Sequence, residues 1–145
     1  METLATSGGG RLCAVRLNPG EDVLGRLAEI VEQQDIRGGF VTVGIGSLRD
    51  TTLGFFDGER YVQRTFREPH ELLSMTGSIA WYEGKPHIHL HALLGDPEYR
   101  VVGGHFHGGT VEILVELMVQ AFPEGFARVP RGNVLKVLSL HPGKS

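Results

Sequence analysis

The chain has 145 residues, of which 41% are hydrophobic and 21% are charged, and its formal net charge is −3. This composition suits one folded domain, and it excludes a largely disordered chain or a surface that is basic overall. No segment has the ~20 consecutive apolar residues of a membrane span. A single cysteine, Cys13, excludes an intrachain disulfide and predicts a cytoplasmic protein. We expect a flexible leader at residues 1–10, one domain at 11–141 and a tail at 142–145.

The first third of the chain predicts a strand followed by a helix. Residues 11–17 alternate in polarity and are rich in apolar side chains, which is typical of a strand. Glu21 and Asp22 then favour the start of a helix, because negative charge is stabilised at a helix N-terminus. The helix is expected to run to about Gln34, with one apolar face made of Val23, Leu24, Leu27, Ile30 and Val31.

The rest of the chain predicts short strands separated by turns. Glycines 44 and 46 with Ser47 are expected to interrupt the second strand. Residues 111–122 suit a strand or a helix, and we favour a strand because apolar residues alternate there. The other predicted strands are 40–45, 53–56, 61–66, 72–82, 86–94, 100–106 and 134–140. The predicted fold is α+β, a mostly antiparallel sheet with one or two packed helices.

Five of the seven histidines fall in two short stretches. His87, His89 and His91 alternate along a predicted strand, so their side chains share one face of it. His105 and His107 lie on the next predicted strand, across a turn. Neighbouring antiparallel strands stand about 4.8 Å apart, so a histidine of the second strand can meet two of the first around one ion.

Imidazole ligands favour a divalent metal and zinc above others, with nickel, copper or iron as alternatives. Three histidines with one open position form a familiar catalytic zinc site. The competing interpretation is a solvated face of alternating histidines that binds nothing. The spacing alone makes all five histidines candidate ligands.

A carboxylate and several arginines complete the candidate functional residues. Glu71 precedes an apolar strand and is a candidate general acid or base, with a solvated strand end as the alternative. A contiguous basic patch would favour nucleic acid, whereas scattered solvated charges would not. The arginines considered for such a patch are Arg60, Arg64, Arg67, Arg128 and Arg131.

Five motifs in order resemble the bacterial PPC family, the domain shared by plants and prokaryotes. The motifs are residues 16–22 (RLNPGED), 46–48 (GSL), 71–79 (ELLSMTGSI), 87–91 (HIHLH) and 101–106 (VVGGHF). The resemblance covers roughly residues 11–141. It implies an α+β fold assembled as a homotrimer. The fold is also similar to that of acetolactate decarboxylase, in which three histidines hold zinc.

The resemblance narrows the ligand set. The prokaryotic pattern of His-x-His followed by Gly-Gly-His maps onto His89, His91 and His105, and it leaves His87 and His107 as reserves. It implies a zinc-binding domain that is DNA-binding or regulatory by family analogy, with no DNA-contacting residue identified. The alternative is a metal-dependent lyase or hydrolase acting on a small carbonyl or carboxylate substrate. The chain has no Arg-Gly-Arg-Pro AT-hook.

Overall fold

A computed structural model describes residues 9–141 of the chain. Within that range there are one helix and eight strands, and all eight strands belong to one sheet. Most of the predicted leader and the whole predicted tail lie outside the described residues. The elements are β1 (Arg11–Leu17), α1 (Val23–Gln33), β2 (Gly39–Phe56), β3 (Tyr61–Phe66), β4 (His70–Tyr82), β5 (Lys85–Gly95), β6 (Val101–Ala121), β7 (Ala127–Arg131) and β8 (Leu135–Ser139).

Helix α1 forms where the sequence predicts it. The Asp22 carboxylate caps its N-terminus by accepting a hydrogen bond of 2.6 Å from the Gly25 amide. Val23, Leu27 and Val31 are fully buried on one face, and that face packs against the sheet at β5 and β6. The α+β arrangement, a mostly antiparallel sheet carrying a packed helix, is therefore confirmed.

The two longest strands are each longer than the sequence suggested. The predicted interruption at residues 44–47 is wrong, because β2 continues through it with shifts of register against β6. Gly46 has a φ of +145°, and a Cβ there would meet the Leu114 carbonyl oxygen at 2.1 Å. These glycines therefore let β2 bend and pack closely within the sheet instead of ending it. The segment 111–122 is a strand up to Ala121, as favoured, and it is continuous with the preceding predicted strand in β6.

Strands β2, β6, β5 and β4 form a closed ring, since β2 pairs with β4 as well as with β6. Strands β1 and β3 add to β6 and β2 respectively. The hairpin of β7 and β8 joins β4 through Trp81 and Ala127. The sequence predicts β8 but misses β7, which contains Pro130. No helix within residues 9–141 has the length and apolar character needed to cross a membrane.

Candidate metal centre

Strand β5 places its three histidines on one face, as their spacing predicts. In the ladder with β4, His87 lies opposite Ala80, His89 opposite Ser78 and His91 opposite Thr76. Directly opposed residues of an antiparallel pair share a face. The side chains of Thr76, Ser78 and Ala80 therefore lie beside the histidines, on the same face of the sheet. Ile88 and Leu90 face the core with the other buried apolar residues.

Strand β6 brings a further imidazole to this face. His105 lies directly opposite His91 in the β5–β6 ladder. The ring centroids of His105 and His89 are 4.7 Å apart, and those of His105 and His91 are 5.6 Å apart. One nitrogen from each of His89, His91 and His105 lies within 4.8 Å of the other two. We call these three residues the histidine cluster.

Burial keeps two members of the histidine cluster uncharged at neutral pH. Burial, followed by the positive charge of Arg128, lowers the pKa of His89 from 6.5 to about 4. Burial and the neighbouring histidines lower the pKa of His105 from 6.5 to about 4. A metal binds the neutral imidazole, so these groups need not lose a proton before coordination at neutral pH.

The cluster also contains a buried nitrogen that is unpaired in the part of the chain that the structure describes. Nδ1 of His105 is buried, and it has no hydrogen bond within the described part of the chain. Buried polar atoms are usually paired, so an unpaired one calls for an explanation such as an ion. Three imidazoles lie within coordinating reach of one ion, and one of them has an unpaired buried nitrogen. Imidazole nitrogens are ligands that zinc binds well, so the three residues fit a zinc ion.

An open groove lies beside two members of the histidine cluster. Its volume is about 540 Å³. We call it the histidine groove, and it is lined by Phe40, Val41, Thr42, Thr76, Gly77, Ser78, His89 and His91. A small molecule in this groove would contact two of the three candidate ligands.

The two reserve histidines lie on the same strands as the cluster, His87 two residues before His89 and His107 two residues after His105. His107 lies beside His105, with ring centroids 4.5 Å apart, and Gln63 Nε2 is 3.4 Å from its Nδ1. Gly54 makes this packing possible, because a Cβ at that position would lie 2.4 Å from Nε2 of His107. His87 packs edge-on against Tyr82, and burial lowers its pKa. Neither residue belongs to the group of three whose nitrogens meet.

Sequence reasoning missed two contributors to this region. Tyr61 on β3 packs against both His105 and His107, at centroid distances of 4.7 and 5.2 Å. Arg128 on β7 is buried and donates a 2.5 Å hydrogen bond from Nη2 to the Ser78 hydroxyl. Both arrive from strands distant in sequence, and nothing in the local pattern around them signals the contact.

The structure does not bring Glu71 to the cluster. Glu71 pairs with Gly95 on β5, four residues beyond His91, which corresponds to roughly 13 Å along the strand. Its side chain is exposed. Within residues 9–141 no hydrogen bond or ion pair joins Glu71 to the histidine cluster, and its role as an acid or base stays a prediction.

The arginines considered for a basic patch separate in the fold. Arg60, Arg64 and Arg67 lie on or beside β3, which pairs with the 51–56 end of β2. Arg128 and Arg131 lie on β7, which joins β4 near the residues that pair with the other end of β2. Arg128 is only 6% exposed and is therefore not available to a nucleic acid. The five residues do not form one surface within the chain.

Comparison with known families identifies the domain. The family model for the Plants and Prokaryotes Conserved (PCC) domain matches residues 4–123. The chain belongs to the PCC domain family. This confirms the resemblance seen in the sequence, since PPC abbreviates the same family name. The family match includes every residue of the histidine cluster.

Solved structures share the PCC fold over almost the whole chain. A PPC protein from Pyrococcus horikoshii is 30% identical with a TM-score of 0.83, and the alignment covers 91% of this chain and 92% of that one. A candidate DNA-binding protein from Ralstonia eutropha JMP134 is 32% identical with a TM-score of 0.79, covering 88% and 90%. A metal-containing protein from Archaeoglobus fulgidus is 30% identical with a TM-score of 0.80, covering 91% and 94%.

Two curated relatives are much longer proteins. Both are called bifunctional protein GlmU and come from Synechococcus sp. strains JA-3-3Ab and JA-2-3B'a(2-13). They are 34% identical over 106 residues and 30% identical over 122 residues. The matches cover 72% and 83% of this chain but only 16% and 18% of the relatives. The chain therefore spans less than a fifth of their length.

Proposed function

We propose that this PCC domain binds a divalent metal, zinc before others, through His89, His91 and His105. The observation that carries the proposal is the approach of three imidazole nitrogens to within 4.8 Å of one another. Zinc–nitrogen bonds are about 2.0 Å long, so nitrogens at such separations need only small side-chain movements to share one ion. The metal-containing relative from Archaeoglobus fulgidus supports the same conclusion.

The competing interpretation, a solvated histidine face, fits the surroundings less well. A solvated histidine keeps an ordinary pKa and finds water at both nitrogens. His89 and His105 instead have a pKa near 4, and Nδ1 of His105 is withdrawn from solvent. Burying such groups without a partner costs free energy, which a bound metal would offset.

The metal site has a regulatory and an enzymatic candidate role. The likeness to a candidate DNA-binding protein supports a regulatory, DNA-associated role. The histidine groove supports a metal-dependent lyase or hydrolase acting on a small carbonyl or carboxylate compound. When bound, zinc would supply Lewis acidity that polarises a carbonyl or acidifies water. We favour the metal-binding, regulatory role, and we keep the enzyme as the second candidate.

We further propose that the domain assembles as a homotrimer in the cytoplasm. Exposed apolar side chains on the sheet support assembly, among them Val43 and Ile45 on β2, which are 51% and 47% exposed. The single cysteine supports a reducing compartment. Sedimentation equilibrium would measure the assembly, and a monomer at micromolar concentration would contradict the trimer.

Elemental analysis of purified protein tests the metal site. We expect about one zinc per chain in the wild type and less than a tenth of that in His89→Ala, His91→Ala and His105→Ala. His70→Ala is the matched control, because His70 lies outside the cluster and hydrogen-bonds to the Glu68 carbonyl oxygen. It should retain the metal. Equal metal content in all five proteins, or none in any, would refute the proposal.

A further inference from the structure

Arg128 is a buried arginine without a carboxylate partner among residues 9–141. Its side chain is 6% exposed, and within residues 9–141 no acidic group lies within 4.0 Å of its guanidinium. Nη2 donates to the Ser78 hydroxyl at 2.5 Å, and Nη1 donates to the Lys136 carbonyl oxygen at 3.4 Å. Nε is buried with no hydrogen-bond partner there. A buried charge in this condition is costly unless a counter-charge joins it.

Ser78 connects this charge to the histidine groove. It lies directly opposite His89 in the β4–β5 ladder and lines the groove beside His89 and His91. A hydroxyl has one proton to donate and two lone pairs that accept. Since Ser78 Oγ accepts from Arg128, its own proton is left for another partner. A donor polarised by a buried guanidinium is well suited to an anion.

The rest of the groove narrows the class of anion. Phe40 lines the groove together with the polar residues of β4 and β5, and it lies opposite Ser78 in the β2–β4 ladder. Its side chain is partly exposed. An inorganic oxyanion would leave this apolar surface without a partner, whereas the hydrocarbon part of an organic acid would cover it. The volume of about 540 Å³ is ample for a small organic molecule.

We propose that the histidine groove binds a small organic carboxylate, which accepts a hydrogen bond from Ser78 and is held by the buried charge of Arg128. This inference rests on the proposed metal site, because the carboxylate would bind beside the metal in the same groove. Ser78 contacts the ligand, and Arg128 acts chiefly through Ser78 and through its charge.

Cobalt substitution provides a test that does not depend on a known reaction. Cobalt(II) is loaded in place of zinc, and its visible absorption bands are followed while butyrate or inorganic phosphate is added. In the wild type we expect a saturable spectral change with butyrate, at lower concentration than with phosphate. Ser78→Ala and Arg128→Met should bind cobalt fully but need about tenfold more butyrate, or more. Ser78→Ala loses the hydrogen bond to the carboxylate, and Arg128→Met loses the positive charge that polarises the Ser78 hydroxyl.

Arg131→Met is the matched control, because Arg131 lies on the same strand and is exposed. It should bind butyrate as the wild type does. Unchanged butyrate affinity in Ser78→Ala and Arg128→Met would overturn the inference, and so would tighter binding of phosphate than of butyrate. If Arg128→Met fails to fold, Ser78→Ala decides the matter. A wild type that takes up no cobalt would instead overturn the metal site, and this inference with it.

Discussion

Gly77 lies where the sheet has no room for a side chain. Its replacement should disturb both the stability of the fold and the geometry of the metal site. It pairs with Leu90 on β5, next to His89. A Cβ at position 77 would lie 1.9 Å from the His89 carbonyl oxygen and 2.8 Å from Leu90 Cα. Both are backbone atoms, so no side-chain rotation relieves the contact. In Gly77→Ala the two strands must separate by about 1.1 Å to restore the 3.0 Å at which real contacts begin.

The expected loss of stability follows from the free-energy cost of overpacking. Extra methyl groups in packed interiors cost about 1–3 kcal/mol, and a clash with backbone belongs at the upper end of that range. We expect about 3 kcal/mol, or a fall in the melting temperature of roughly 10 °C for a domain of this size. Zinc affinity should also fall at least tenfold, because coordination tolerates displacements of only about 0.2 Å and His89 moves with its strand.

Thermal melting by circular dichroism and a competition titration for zinc measure the two effects. Gly125→Ala is the matched control, since among the described residues its Cβ would meet Arg37 Cβ at 3.6 Å and the Arg37 carbonyl oxygen at 3.9 Å, both ordinary contacts. It should melt and bind zinc like the wild type. If Gly77→Ala shared both properties with this control, the reasoning from the β4–β5 contact would be refuted.

Two further predictions concern the surroundings of the histidine cluster. The pKa of His89 and His105 is about 4 in the fold against an ordinary value of 6.5, so the unfolded chain binds more protons between these values. The melting temperature of the metal-free wild type should therefore fall from pH 6.5 to 4 more steeply than that of the His89→Ala, His105→Ala double variant, and parallel curves would contradict this. Tyr61→Ala should weaken zinc binding about tenfold, because the Tyr61 ring no longer holds the His105 ring in place. Tyr61→Phe keeps the ring and should bind zinc like the wild type. Equal zinc affinity in Tyr61→Ala and the wild type would exclude a positioning role for the ring.

The sequence predicts the parts of this fold and site that depend on local periodicity. The apolar face of α1 and the shared face of His87, His89 and His91 follow from repeats of 3.6 and 2 residues. The sequence predicts that the glycines of β2 end a strand, whereas β2 continues through them. A glycine that ends a strand and one that bends it look alike in sequence. Whether a glycine ends or bends the strand depends on the partner strands. Here the Leu114 carbonyl of β6 packs closely against Gly46, so β2 continues.

The contacts of Tyr61 and Arg128 with the histidine region also depend on strand pairing, so the sequence does not predict them. Tyr61 meets His105 only because β3 pairs with β2 and β2 pairs with β6. Arg128 meets Ser78 only because β7 joins β4. Each contact is the product of pairings between distant segments, and residue type alone does not reveal them. The choice of His105 over His107 likewise rested on family resemblance, since alternation along β6 admits both.

The pairing of β1 with the far end of β6 has a consequence for synthesis of the protein. Arg11 lies opposite Ala121, about 110 residues later in the chain. At translation rates of 5–20 residues per second, the first strand must wait roughly 5 to 20 s for its partner to be made. The apolar face of α1 is unshielded for a similar time, because its contacts are with β5 and β6. During this interval the nascent chain would expose apolar surface that the folded domain buries, and we expect ribosome-associated chaperones to bind it.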